Sequence, residues 1–237
     1  MSAVDRYRIE DAPLHLERYA QDPLAVCLSR LALTQLFRGR PGDADRTMRE
    51  AVRVATELDN PMTISYVRAF DAVLAALEPE GHDLDAAAAT ADTVASTMHI
   101  DYYATMAELL CGWRDSRTGD PRGLATMRRA TDRMRHVQPL ALTLGLSLVA
   151  RAHQQAGEPA PARAAVAEAL AWTERTGQRY LLPELLRIDA ELLAFAGDRV
   201  GAVAAAERAL DTADALESPW LRDRVLTTRA ALEIGNG

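Results

Sequence analysis

The chain has 237 residues, of which 49% are hydrophobic and only 5% aromatic, and its formal net charge is −7. That length can bury a sizeable core, whereas arginines scattered among carboxylates form no basic face and so exclude a surface built for direct nucleic-acid binding. Its 27 basic residues other than histidine are all arginine, which excludes a phosphate-loop lysine and a Schiff-base amine.

In chain order, residues 1–10 are polar and do not form a signal peptide. Residues 14–20 read as the tail of a preceding helical unit, so the chain is expected to be a fragment or a stand-alone remnant of a larger protein. The first full unit, 21–60, opens at Pro23, carries the stripe Leu24, Leu28, Leu31 and Leu36, and turns at Arg38-Gly39-Arg40-Pro41-Gly42-Asp43. The second, 61–100, opens at Pro61 and turns at Glu80-Gly81-His82-Asp83; its second helix is degenerate. The third, 101–138, turns at Thr118-Gly119-Asp120-Pro121. The fourth, 139–179, opens at Pro139 and turns at Ala156-Gly157-Glu158-Pro159. The fifth, 180–218, carries Ile188, Leu192 and Phe195 on one stripe and turns at Ala196-Gly197-Asp198, and a terminal helix over 219–235 follows Pro219.

The turn glycines Gly39, Gly81, Gly119, Gly157 and Gly197 stand 38 to 42 positions apart. Glycine ends one helix by taking a left-handed backbone, and Asp or Pro starts the next. The second helix of a unit carries small residues seven apart: Ala44 and Ala51, Gly123 and Ala130, Ala162 and Ala169, Ala202 and Ala209. These allow close approach of the paired helices.

The pattern resembles the tetratricopeptide repeat, with Ala32, Gly112, Ala150 and Ala190 at its small first-helix position, although the period exceeds the usual value of about 34. The expected fold is all-α: a right-handed α-solenoid of about five helix-turn-helix repeats forming a single domain over 1–237. A closer likeness rests on Gln21-Asp22-Pro23-Leu24-Ala25-Val26-Cys27-Leu28-Ser29, on Gly177-Gln178-Arg179-Tyr180, and on Glu184-Leu185-Leu186-Arg187-Ile188-Asp189-Ala190-Glu191-Leu192-Leu193. These stretches resemble the repeat region of large bacterial ATPase-type regulators: LuxR-type ATP-binding activators, antibiotic regulatory proteins and ATPases fused to adenylate-cyclase domains. The resemblance implies a sensor or docking role beside a nucleotide-binding switch domain, in transcription regulation or signalling. The chain itself carries no nucleotide-binding, cyclase or DNA-reading motif.

No constellation for chemistry emerges. The histidines His15, His82, His99, His136 and His153 lack metal-ligand spacing, and no HExxH or GxSxG occurs. His82, Asp83 and Asp85 fit either a cation loop or, better, a capped helix start. His153 reads as a core histidine, and Glu184, Arg187, Asp189 and Glu191 as a salt-bridged helix surface. Cys27 and Cys111 read as small core residues of a reduced cytoplasmic protein. The apolar stretch 139–150 is too short to span a bilayer.

In a helix-pair solenoid the first helices line the concave face. Mapping repeat positions onto it nominates Arg68, Asp71, Trp113, Arg117, Arg151, Gln154, Arg187 and Glu191 as a groove for a protein or peptide, since Arg and Trp anchor interfaces. Tyr66, Tyr102 and Tyr103 belong to the same wall. The alternative is that Trp113 packs between repeats and the arginines pair with carboxylates. The expectation is therefore a non-catalytic peptide- or protein-binding scaffold needing no cofactor or metal. A small-molecule inducer sensor and a self-associating homodimer are the rival readings.

Overall fold

Six of the helices begin where the sequence supplies a capping oxygen. Asp22, Asn60, Asp83, Asp120, Asp198 and Ser218 each accept a bond from a backbone N–H two or three residues on, at 2.8–3.4 Å. Proline follows at Pro23, Pro61, Pro121 and Pro219, where its missing N–H costs nothing. The computed structural model describes residues 7–78, 83–98 and 101–234. The expected turn residues Glu80, Gly81 and His82, and also His99, lie outside them.

Among the described residues there are twelve α-helices and no strand. After α1 (Ala12–Tyr19) they run in pairs: α2 (Pro23–Phe37) and α3 (Pro41–Leu58), α4 (Pro61–Leu77) and α5 (Leu84–Met98), α6 (Asp101–Arg117) and α7 (Pro121–Val137). A short 3-10 turn at Pro139–Ala141 precedes α8 (Leu142–Gln155) and α9 (Pro159–Thr176); α10 (Leu182–Phe195), α11 (Arg199–Ala215) and α12 (Pro219–Ile234) complete the series.

Within four pairs the joint has one design. Gly39, Gly119, Gly157 and Gly197 hold φ at 71°, 81°, 72° and 83°. The following N–H then reaches back five residues, from Arg40 to Gln35, Asp120 to Asp115, Glu158 to His153 and Asp198 to Leu193, at 2.9–3.2 Å. This closes the exposed carbonyls of the first helix and sets the direction of the second. Ala20, Asp59 and Glu217 adopt the same left-handed backbone without being glycine, at φ of 60°, 48° and 48°.

The described residues group into two compact units, one drawn from Met1–Leu36 with Arg40–Arg114, the other from Phe37–Gly39 with Asp115–Gly237. In the first, α4 packs on α3 and α5, and Leu36, Met48, Leu74, Leu109 and Leu110 are fully buried. In the second, α10 touches α8, α9, α11 and α12. The close approach is made by small side chains: Ala190 meets Ala205 and Ala206, with Leu193 and Leu232 around them. Leu186, Ala209 and Val225 form a neighbouring cluster with Leu170, Leu182 and Leu210. The alanines spaced seven apart in α3, α9 and α11 are buried, as are Gly123 and Ala130 of α7. The fold is all-α and repeat-like, and no helix among the described residues is long and apolar enough to cross a membrane.

Three expectations are corrected. Cys27 is exposed rather than in the core, because the buried side of α2 is made by Ala25, Leu28, Ala32 and Leu36. Leu31 is partly exposed for the same reason. Phe195 is 75% exposed, since the helix ends there and the chain turns away at Ala196.

Candidate functional site

The expected groove residues divide between the two units. Arg68, Asp71 and Trp113 belong to the first, and Arg117, Arg151, Gln154, Arg187 and Glu191 to the second.

In the first unit the tryptophan is corrected outright: Trp113 is only 2% exposed and is among the largest fully buried side chains. Leu109, Leu110 and Gly112 are buried with it on α6, so this face is core and the indole cannot meet a partner. Arg68 and Asp71 pair at 3.6 Å, each still partly open to solvent. Tyr66 and Tyr103 do come together, but as buried side chains, each 6% exposed, rather than as an open groove wall. Tyr66 stacks on Phe70 with centroids 4.5 Å apart and meets Tyr103 edge-on at 5.9 Å. Arg30 of α2 donates from Nε to the Tyr66 hydroxyl at 2.6 Å and lies over the Phe70 ring at 5.1 Å. Gln21 donates to the Tyr103 hydroxyl. Burial pushes the Tyr103 phenol up to about 12, against the opposing hydrogen bond from Gln21. Elsewhere in this unit an open cavity of about 610 Å³ is lined by residues including Tyr7, Arg8, Leu24, Arg53 and Glu57. Its arginine Arg53 is already held by Glu50 and Glu57.

The second unit gathers more. Glu184, near the start of α10, has its side chain 5% exposed and is gripped by two arginine forks. Arg187 donates from Nε and Nη2 to its two oxygens at 2.8 and 2.9 Å, and Arg224 of α12 does the same at 3.1 and 2.9 Å. Arg187 also donates from Nη1 to Glu191 and to the Thr228 hydroxyl at 3.1 Å. Thr228 in turn donates to Glu191 at 3.0 Å, and Gln154 of α8 donates to the other Glu191 oxygen at 3.3 Å. One continuous network therefore joins α8, α10 and α12.

Its electrostatics follow from the geometry. Burial pushes the Glu184 carboxyl up, but the hydrogen bonds and charges of Arg187 and Arg224 outweigh it and hold the group well below the usual carboxylate range. Arg187 is likewise kept charged: burial opposes this, and the bonds to Glu184 and Glu191 overcome it. Arg151, on the same turn of α8 as Gln154, is pushed down by burial, with Glu184 and Glu191 favouring its charge and Arg224 and Arg187 opposing it.

The structure thus brings Arg151, Gln154, Arg187 and Glu191 together, but buries Arg187 under its two carboxylates instead of leaving it as an open anchor. The expected salt-bridged surface at Glu184 and Arg187 is a buried bridge. Arg117 is exposed at the end of α6. His153 is buried, with Nδ1 2.6 Å from Glu158, as a core histidine should be. Asp83 caps α5 through the Ala86 N–H at 2.9 Å. Two members were missed, Arg224 and Thr228, because 219–235 reads as a terminal helix outside the five repeats. A signal existed: they stand 37 residues after Arg187 and Glu191, in the same helical positions.

Arginine forks, an amide and a hydroxyl preset around carboxylates can hold polar groups of a ligand. Among the described residues no group of three His, Cys, Asp or Glu is placed to hold a metal ion. Comparison with protein-family models finds no match, and neither does comparison with curated proteins.

Proposed function

We propose that the chain is a non-catalytic binding module that recognises a peptide or protein segment on the α8–α10–α12 face. The observation that carries this reading is the network itself. Hydrogen-bonding side chains at matching positions of successive first helices are held in fixed rotamers by their neighbours, which lowers the ordering cost of binding. Its outer members stay within reach of solvent: the side chains of Arg224 and Glu191 are 27% and 34% exposed. The resemblance of 21–29, 177–180 and 184–193 to the repeats of bacterial ATPase-type regulators supports a sensor or docking role in such a regulator, with a nucleotide-binding switch domain as the partner.

The test is parallel selection of a random peptide display library on the wild-type protein and on an Arg151→Ser, Gln154→Ala variant with an unchanged circular-dichroism spectrum. Peptide families recovered by the wild type and lost by the variant are expected. Identical recoveries from both would remove this face from the function. A small-molecule sensor is the second reading, and the open hollow of about 610 Å³ in the first unit, beside Arg8, Arg53 and Glu57, is where it would place the ligand. It predicts ligand-induced thermal shifts that an Arg8→Ala substitution abolishes.

A further inference from the structure

In the first unit, a cluster drawn from α2, α4 and α6 has donors that no described acceptor meets. Arg30 of α2 is exposed, and its Nε–H is given to the Tyr66 hydroxyl of α4 at 2.6 Å. Its guanidinium carbon also lies 5.1 Å from the Phe70 ring centroid and 5.9 Å from that of Tyr66, which holds the group against the stacked pair. A guanidinium carries five N–H donors, and use of Nε leaves the end-on edge of Nη1 and Nη2 intact. Among the described residues no carboxylate lies within ion-pair distance of Arg30. The Tyr66 hydroxyl accepts from a group that cannot accept in return, so its own proton must go elsewhere, and no described residue takes it. A buried O–H left in this way is costly until an acceptor arrives, and Tyr66 is only 6% exposed. Burial raises the phenols of Tyr66 and Tyr103, and Arg30 opposes that rise at both. Tyr102 acts on the same two phenols; it is 43% exposed and stands edge-on to Tyr103 at 5.0 Å, an open aromatic surface beside the cluster.

We propose that Arg30, Tyr66 and Tyr102 form a binding site in the first unit for a carboxylate monoanion that carries an aromatic group. The carboxylate lies across the Nη1–Nη2 edge of Arg30 and accepts the Tyr66 proton, while the aromatic group packs on Tyr102. Charge selects the class. One guanidinium beside neutral phenols matches one negative charge, whereas a phosphate monoester brings nearly two. The arginine of α4, Arg68, adds no net charge because it pairs with Asp71. The site belongs to the first unit and shares no residue with the α8–α10–α12 face, so it stands or falls independently of the peptide reading.

The experiment titrates the full chain with phenylacetate, with its neutral analogue phenylacetamide and with inorganic phosphate. Backbone and arginine Nε–H signals are followed by two-dimensional NMR. Phenylacetate is expected to give saturable shifts that include the Arg30 Nε–H signal, identified by its loss in Arg30→Gln, and phenylacetamide none. Arg30→Gln should weaken phenylacetate about tenfold or more, and Tyr66→Phe about threefold to tenfold, with circular-dichroism spectra like that of the wild type. Phenylacetamide binding as tightly as phenylacetate, an affinity unmoved by Arg30→Gln, or no saturable shift at all would overturn the inference. Phosphate binding more tightly than phenylacetate would overturn the monoanion. N-acetylglycylphenylalanine identifies the source of the carboxylate. Binding about tenfold tighter than phenylacetate assigns a peptide C-terminus, and equal or weaker binding assigns a small aromatic acid.

Discussion

Replacing Glu184 with glutamine tests the buried network at its centre. The substitution keeps the volume and shape of the side chain, so no cavity term enters. It removes the charge that two arginine forks share, and it turns one of the two acceptor oxygens into an NH2 group facing guanidinium donors. Four charge-assisted bonds at 2.8–3.1 Å are affected. Removing one partner of a buried ion pair costs about 3–5 kcal/mol, because the remaining charge stays buried without its counterion. The side chain of Arg187 is nearly as inaccessible as that of Glu184 but keeps Glu191 as a second counterion, and the more open Arg224 can turn outward. The loss is therefore expected near the lower end, about 3 kcal/mol. Urea denaturation followed by far-ultraviolet circular dichroism near neutral pH measures it. Glu184 also contributes to acid sensitivity. Its folded pKa lies below the ordinary carboxylate value, so its contribution is complete above that value and is lost as pH falls through the folded one. The glutamine variant should show a shallower decline of stability below about pH 4. A loss under about 1 kcal/mol, with an unchanged acid limb, would refute the claim that this bridge is buried and desolvated.

Three further outcomes are expected. Ala190→Leu forces a larger side chain against Ala205 and Ala206 and should cost about 1–3 kcal/mol in the same denaturation assay. Ala20→Gly relieves a left-handed alanine at the end of α1 and should gain about 0.5–1 kcal/mol, net of the extra freedom glycine gives the unfolded chain. The Tyr103 phenol, pushed up to about 12 in the fold, keeps its proton where the unfolded state loses it near 10. Stability should therefore fall between about pH 10 and 12, and Tyr103→Phe should flatten that slope in alkaline denaturation.

The helices and joints were legible because they rest on local chemistry. Gly39, Gly119, Gly157 and Gly197 each demand the left-handed backbone, and the capping oxygens and prolines that follow act within three residues. The faces were less legible. Helical periodicity reports how a helix meets one neighbour, but α10 has four neighbours, and α6 buries Tyr103, Met106 and Trp113 as well as Leu110. When apolar residues surround a helix, spacing alone does not say which stripe faces a groove, and Trp113 was assigned to the wrong one. The charged cluster was half legible. Gln154, Arg187 and Glu191 were placed together by repeat position, yet pairing within a helix, such as Glu184 with Arg187, gives no sign of how deeply the pair is buried. That depth comes from α12, whose Arg224 and Thr228 complete the network from 37 positions downstream.

The shared joint has an evolutionary consequence. A glycine followed by a bond reaching back five residues fixes the phase at which the next helix departs, and it does so four times with nearly the same angles. Growth of such a chain is then quantised. A duplicated stretch cut from one joint to the same point in the next re-enters in register and offers its neighbour a familiar face, whereas one or two residues added inside a helix rotate everything beyond them by a fraction of a turn. Length variation among descendants of this sequence should accumulate in steps of one whole helix pair, with smaller insertions confined to the joints.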